Sequence, residues 1–328
     1  MKKMIRLFTV LFVAAGILIG CTNNNDAEVE EQNDTIHIVT SMFPMYEITK
    51  EIAGDRAEVS VMVGANEDAH HYEPSARAVA SVNEADVFVY SSDEMEFWVE
   101  SLLAVVENDD LVVVELGDGI DFVIHSELDH EDEEHHEDEH NHDDEEHHDH
   151  GHDHGNLDPH FWLNPVSVEN QLGLIVDALL QVDKEGKDIY EKQAARFSEE
   201  LLALDQMYQV AFQSAENRSF VVQHQAFGHL AHRYDLEQVA IGGLTTEVEP
   251  NPKQLAQIVT FINEQQIPVI YYQSGSSSSI AETISKETNT GVGVLYDLES
   301  LPADFLDSQR PYIEAMTENL EQLKKSIN

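Results

Sequence analysis

From Thr35 onward, apolar and polar positions follow two alternating rhythms. Ile36-His37-Ile38-Val39-Thr40 and Glu58-Val59-Ser60-Val61-Met62-Val63 place apolar residues at every second position, the period of a half-covered strand. Asp86-Val87-Phe88-Val89-Tyr90 and Leu111-Val112-Val113-Val114-Glu115 are near-continuous apolar runs, as in strands covered on both faces. Between them, Tyr46 to Ala53, Ser75 to Ala85 and Glu94 to Val106 predict helices. The repeating unit is βαβ, which implies a mostly parallel sheet flanked by helices.

A second set begins at Ser219. Phe220-Val221-Val222-Gln223, Pro268-Val269-Ile270-Tyr271-Tyr272 and Val292-Gly293-Val294-Leu295-Tyr296 predict strands, with helices over Phe227 to Tyr234 and Pro252 to Glu264. Asn251-Pro252 is a strong helix start, a capping side chain followed by proline in the first turn. Joining the two sets, Tyr190, Ala194, Phe197, Leu201, Leu204, Tyr208, Ala211 and Ala215 keep a four-three spacing. At ~1.5 Å per residue such a helix runs roughly 40 Å. An ordinary amphipathic helix in one core has the same pattern. The preferred organisation is α/β, with an N-terminal lobe over 35–183, a long rigid linking helix over 184–216 and a C-terminal lobe over 217–328. A chain of 328 residues accommodates two such lobes, since single cores stop growing near ~250–300 residues.

Charge changes the picture. Lys and Arg number 17 against 64 Asp and Glu, a formal charge of −47. Nucleic acid is excluded as a natural partner, because neutralising phosphates needs a basic surface. An anionic bilayer surface would repel the chain for the same reason. Residues 1–21 have the form of an export leader: Lys2, Lys3 and Arg6, then an uncharged apolar stretch from Leu7 to Gly20 that is too short to span a bilayer. Leu18-Ile19-Gly20-Cys21 resembles the bacterial lipobox, in which the cysteine becomes the lipidated N-terminus. That resemblance accounts for Cys21, the one cysteine of the chain, without redox chemistry. Residues 22–34 then form a polar tether, and the expected location is extracytoplasmic, lipid-anchored to the outer face of the bacterial cell membrane.

One tract belongs to neither lobe. Residues 125–154 hold eleven histidines (His125, His130, His135, His136, His140, His142, His147, His148, His150, His152 and His154) and fifteen acids, with no Lys or Arg. So polar a segment cannot bury enough surface to fold alone, and it is expected to be a disordered loop. His136-Glu137-Asp138-Glu139-His140 matches the zinc-protease pattern H-E-x-x-H, but that pattern works on a packed helix, and no apolar face flanks it here. The tract is instead expected to be an auxiliary, low-affinity metal collector, its imidazoles binding cations that the carboxylates concentrate. Loss of the leader takes the charge to −50; without the tract it would be −35. The remaining excess suits a salty or alkaline setting, where ions screen self-repulsion.

The other histidines are His37, His70, His71, His160, His224, His229 and His232. His70, His160 and His224 fall where strands or lobes end, in Asp68-Ala69-His70-His71-Tyr72-Glu73-Pro74, Asp158-Pro159-His160-Phe161-Trp162-Leu163-Asn164-Pro165 and His224-Gln225-Ala226-Phe227-Gly228. Ligands of open α/β sheets gather outside the carboxyl ends of strands, so two facing lobes would bring these histidines into one cleft. Together with Thr245-Thr246-Glu247-Val248-Glu249-Pro250, Leu295-Tyr296-Asp297-Leu298-Glu299 and the histidine-rich insert, these segments resemble the metal-receptor cluster of ABC-transporter solute-binding lipoproteins, in its zinc branch. The likeness runs from Thr35 to the C-terminus.

The resemblance implies that His70, His160 and His224 are metal ligands, joined by a carboxylate from 295–299: Glu299, with Asp297 as the alternate. His71 is then a neighbour rather than a ligand, His37 an ordinary strand residue, and His229 and His232 surface or packing residues. It implies Zn²⁺ as the carried ligand, an ABC permease with its ATPase as partner, a monomer, and no enzymatic activity. Three imidazoles and a carboxylate suit zinc, whereas harder ions such as Mn²⁺ prefer more oxygen ligands. A receptor for Mn²⁺ or another divalent ion stays open, as does a secreted zinc hydrolase, although no general base, nucleophile motif or phosphate-cradling glycine loop accompanies the histidines.

Overall fold

The computed structural model describes residues 35–64, 67–124, 157–244, 250–299, 302, 305 and 308–328. Cys21, the leader, the tether, the histidines of the 125–154 tract and residues 245–249 lie outside the described residues. Strands β1 (Ile36–Thr40), β2 (Ala57–Val61), β3 (Val87–Tyr90) and β4 (Val112–Glu115) form one sheet in the order β2-β1-β3-β4. Strands β5 (Ser219–Val222), β6 (Glu237–Ala240), β7 (Val269–Gln273) and β8 (Gly291–Leu295) form a second, β6-β5-β7-β8. Every strand pair is parallel. Parallel neighbours need crossover connections. Helices supply most of them: α1 (Phe43–Ala53), α2 (Ala76–Asn83) and α3 (Trp98–Leu103) in the first half, α6 (Gly228–Arg233), α7 (Pro252–Gln265) and α8 (Ser279–Thr288) in the second.

Local chemistry sets these boundaries. Ser75 caps α2 by accepting from Ala78 N, and Asn251 caps α7 in a reciprocal box with Gln254 ahead of Pro252. Helix α3 is shorter than the pattern from Glu94 to Val106 predicts. The Glu96 carboxylate turns back to accept from Ser91 N and Ser92 N at 2.8 and 2.9 Å, which holds the preceding residues in a turn. Strand β4 also departs from expectation. It is an edge strand with Val113 43% exposed, not a strand covered on both faces. Strand β6 lacks the apolar period of the other strands: of Glu237–Ala240, only Val239 is buried.

Between the two sheets in sequence lie α4 (Pro165–Val182) and α5 (Lys187–Phe212). At ~1.5 Å per residue, the 26 residues of α5 span about 39 Å. Its inward face is Tyr190, Phe197, Leu201, Leu204, Tyr208 and Phe212, and it packs on α1 and α4 as well as on α9 (Pro311–Leu323). The Tyr208 hydroxyl donates to Met316 O of α9 at 2.6 Å, and buried Asp205 accepts two bonds from Arg233 of α6. One apolar cluster runs from Ile36 to Ile327 through both halves, so the two sheets share a core. A smaller cluster around Val221, Ile262 and Ile270 fills the far side of the second sheet. No helix of the described residues is long and apolar enough to cross a membrane.

Candidate metal centre

The carboxyl ends of the strands deliver the chemistry. After β2, the Asp68 carboxylate accepts from His70 N at 2.8 Å, and Trp98 Nε1 donates to Ala69 O at 3.1 Å, so the backbone is pinned at His70 itself and at the residue before it. The segment before α4 uses the same device: Asp158 Oδ1 accepts from His160 N at 3.0 Å and lies 2.6 Å from His160 Nδ1. With the Nδ1 proton held by that carboxylate, Nε2 is the nitrogen turned to the cleft, the one that can offer a lone pair to a metal once its proton leaves. His224 sits two residues beyond β5, with Nδ1 3.3 Å from Gly243 O. After β8, Asn319 of α9 accepts from Tyr296 N and donates to Tyr296 O, both at 2.8 Å. Trp162 Nε1 donates to Asp297 O at 2.7 Å. Glu299 then follows Leu298, whose φ is +65°.

These four segments converge. The ligand atoms of His70, His160, His224 and Glu299 all lie within 4.8 Å of one another, and all four residues are buried. Glu299 Oε1 is 2.5 Å from His224 Nε2, 3.1 Å from His160 Nε2 and 3.7 Å from His70 Nε2. His70 Nε2 is buried and finds no hydrogen-bond partner among the described residues. Such an orphan costs free energy, and a cation held among the four atoms would satisfy it. Three imidazole nitrogens and one carboxylate oxygen make the four-coordinate, nitrogen-rich set that zinc takes.

The electrostatics centre on Glu299. Burial works against its charge, yet His224, His160 and His70 hold its carboxyl well below the usual range. Burial disfavours charge on His160, but Asp158 and Glu299 outweigh it and lift the imidazole to about 10. His224 is raised against burial by Glu299, and His70 is lowered by burial. Asp297 goes the other way: burial, then the Glu299 charge, pushes it up to about 7. Of the two carboxyls, Glu299 is the one whose oxygen converges with the imidazoles, and Asp297 is not among the converging groups.

The remaining histidines stand apart. His71 is partly exposed with Nδ1 3.3 Å from Asp68, and His37 is an exposed residue of β1 beside Glu58. His232 is exposed, whereas His229 is buried with Nε2 2.8 Å from Asp158 O. Asp158 was not singled out from the sequence. A signal was there: the spacing Asp-x-His occurs at both 68–70 and 158–160.

Comparison with known proteins gives a consistent likeness. Residues 38–326 match the family model ZnuA, zinc-uptake complex component A periplasmic. The chain is 35% identical over 328 residues to the high-affinity zinc uptake system protein ZnuA of Bacillus subtilis (strain 168), covering 99% of each. It is 36% identical to the zinc-binding lipoprotein AdcA of Streptococcus pneumoniae (TIGR4), covering 100% of this chain but only 62% of that longer protein. Among solved structures, the Zn(II)-bound ZnuA-like domain of Streptococcus pneumoniae AdcA superposes with a TM-score of 0.72 at 34% identity, over 89% of this chain and 98% of that domain.

Proposed function

The chain belongs to the ZnuA family of zinc-uptake components, and from that premise we propose that it is an extracytoplasmic receptor that captures Zn²⁺ and delivers it to an ABC permease for import. The observation that carries this reading is the convergence of His70, His160, His224 and Glu299. They are the metal ligands, in a cleft between lobes 35–183 and 217–328 that the segment 184–216 bridges. Four protein ligands complete a tetrahedral shell, which suits holding a metal. A catalytic zinc keeps a position for water instead. The protein is therefore a carrier, and zinc is its cargo.

Cys21 carries the lipid that keeps the receptor at the outer face of the membrane, and the 125–154 histidines gather metal nearby. Release follows from docking on the permease, which disturbs the ligand geometry. The test is metal analysis of protein lacking residues 125–154. One tightly bound zinc per chain, retained against excess Mn²⁺, is expected; loss of stoichiometric zinc would overturn the cleft assignment. Zinc-dependent hydrolysis abolished by His160→Ala would instead mark an enzyme.

A further inference from the structure

His160 and Glu299 are 139 residues apart and leave different halves of the chain, yet their backbones are tied together by contacts that do not involve either side chain. Trp162, two residues past His160, is fully buried, and its Nε1 donates to Asp297 O at 2.7 Å. Its indole ring meets the His160 imidazole edge-on, with centroids 5.2 Å apart. The Trp162 carbonyl accepts in turn from the Tyr312 hydroxyl of α9 at 2.6 Å. Seven residues further along the same helix, two turns on, Asn319 grips Tyr296 N and O. One helix thus holds the loop of His160 at one end and the loop of Glu299 at the other, and the indole N–H closes the circuit between them.

Inside that circuit sits Leu298, at φ +65° and only 1% exposed. A branched, buried side chain in the left-handed region is costly and persists only where the surroundings over-determine it. Fixed hydrogen bonds on Tyr296 and Asp297 immediately precede this turn, and the turn is what sends Glu299 toward the three imidazoles. The free energy of the brace is thus spent on aiming one carboxylate.

We propose that Trp162 is a positioning residue: with Tyr312 and Asn319 of α9, it holds His160 and Glu299 as one prearranged half of the site, so that binding a metal does not have to order them. The inference rests on the reading of the cleft as a zinc site. Preorganisation of this kind reduces the ordering cost of binding, and mutation of groups that support metal ligands commonly costs ~10–100-fold in affinity.

The test uses the full chain. Trp162→Phe keeps an aromatic six-membered ring at this buried position but loses the pyrrole ring with its N–H donor. Zinc release into excess chelator should accelerate on the order of tenfold, the effect of leaving Asp297 O buried without its donor. Tyr312→Phe, a gentler change at the other end of the brace, should accelerate release in the same direction, and it replaces Trp162→Phe if that variant does not fold. The decisive comparison is in the Glu299→Gln background. If Trp162 acts by aiming the Glu299 carboxylate together with His160, adding Trp162→Phe there should change release by clearly less than it does in the wild-type chain, whereas a merely structural role would multiply fully through both backgrounds. Unchanged release in both single variants, or full multiplication in the double variant, overturns the proposal. A wild-type chain that holds no stoichiometric zinc would overturn the receptor reading itself, an outcome distinguishable from neutral variants of a protein that binds.

Discussion

Glu299 Oε1 stands 2.5 Å from Nε2 of His224, although 75 residues separate them and they leave the ends of different strands, β8 and β5. That contact joins a buried carboxylate to an imidazole whose Nδ1 lies 3.3 Å from Gly243 O.

The two carboxyls after β8 should therefore behave differently. Glu299→Gln removes the charge facing three imidazoles and should weaken zinc binding by at least about tenfold, since each factor of ten is ~1.4 kcal/mol and a charge-assisted interaction exceeds that. Asp297→Asn, which keeps the Asp297 carbonyl that Trp162 binds, should leave affinity within a few-fold. His224→Ala should abolish tight binding, whereas His136→Ala in the histidine-rich tract should barely change it. Competition against a chelator of known affinity measures all four.

Asp158 should prove nearly as important as a ligand. Its carboxylate is sealed from solvent and lies 2.6 Å from His160 Nδ1, so it fixes which nitrogen offers the lone pair. Asp158→Asn should lower zinc affinity about 10–100-fold with little change in secondary structure. Isothermal titration together with circular dichroism would check both halves; an unchanged affinity would remove Asp158 from the binding apparatus.

Stability should carry a pH signature from Glu96. Burial pushes this carboxyl up from 4.5 to about 8. Between those two values the folded state keeps a proton that the unfolded chain has lost, so this group's contribution to stability falls as pH rises through the window and is fully lost above about 8. Glu96→Gln, which still accepts from Ser91 N or Ser92 N, should flatten the decline. Urea midpoints of wild type and variant across that range give the difference directly.

The junction before α9 should matter for stability and not for metal. Arg310 Nε donates to Glu51 Oε1 at 2.5 Å, Arg196 donates to Glu51 Oε2 at 2.6 Å, and Arg310 also pairs with Glu200. Glu51 thus ties α1 to α5 and to the start of α9. Glu51→Ala leaves two guanidinium groups without their shared acceptor and should cost about 1–3 kcal/mol in chemical denaturation. Zinc affinity should be unchanged.

Much of this protein could be read from its residues one segment at a time. Apolar period identifies seven of the eight strands among the described residues, because a covered strand must carry its apolar residues locally. The cap at Asn251-Pro252 announced α7 for the same reason. His70, His160 and His224 fall where ordered elements end, and the fold brings their ring nitrogens within 4.8 Å of one another. Strand β6 escaped because pairing with β5, not its own pattern, makes Glu237–Ala240 a strand.

What required the tertiary structure was choice among near neighbours. Asp297 and Glu299 are two residues apart with the same charge, so no linear pattern separates them. The left-handed turn at Leu298 does, and it is held by Asn319 and Trp162 from distant parts of the chain. Asp158 likewise gained its meaning only when its carboxylate was seen 2.6 Å from an imidazole nitrogen. Local sequence determines which groups are offered, because period, caps and strand ends are short-range. Which group points inward depends on side chains far away in sequence, and only folding brings them together.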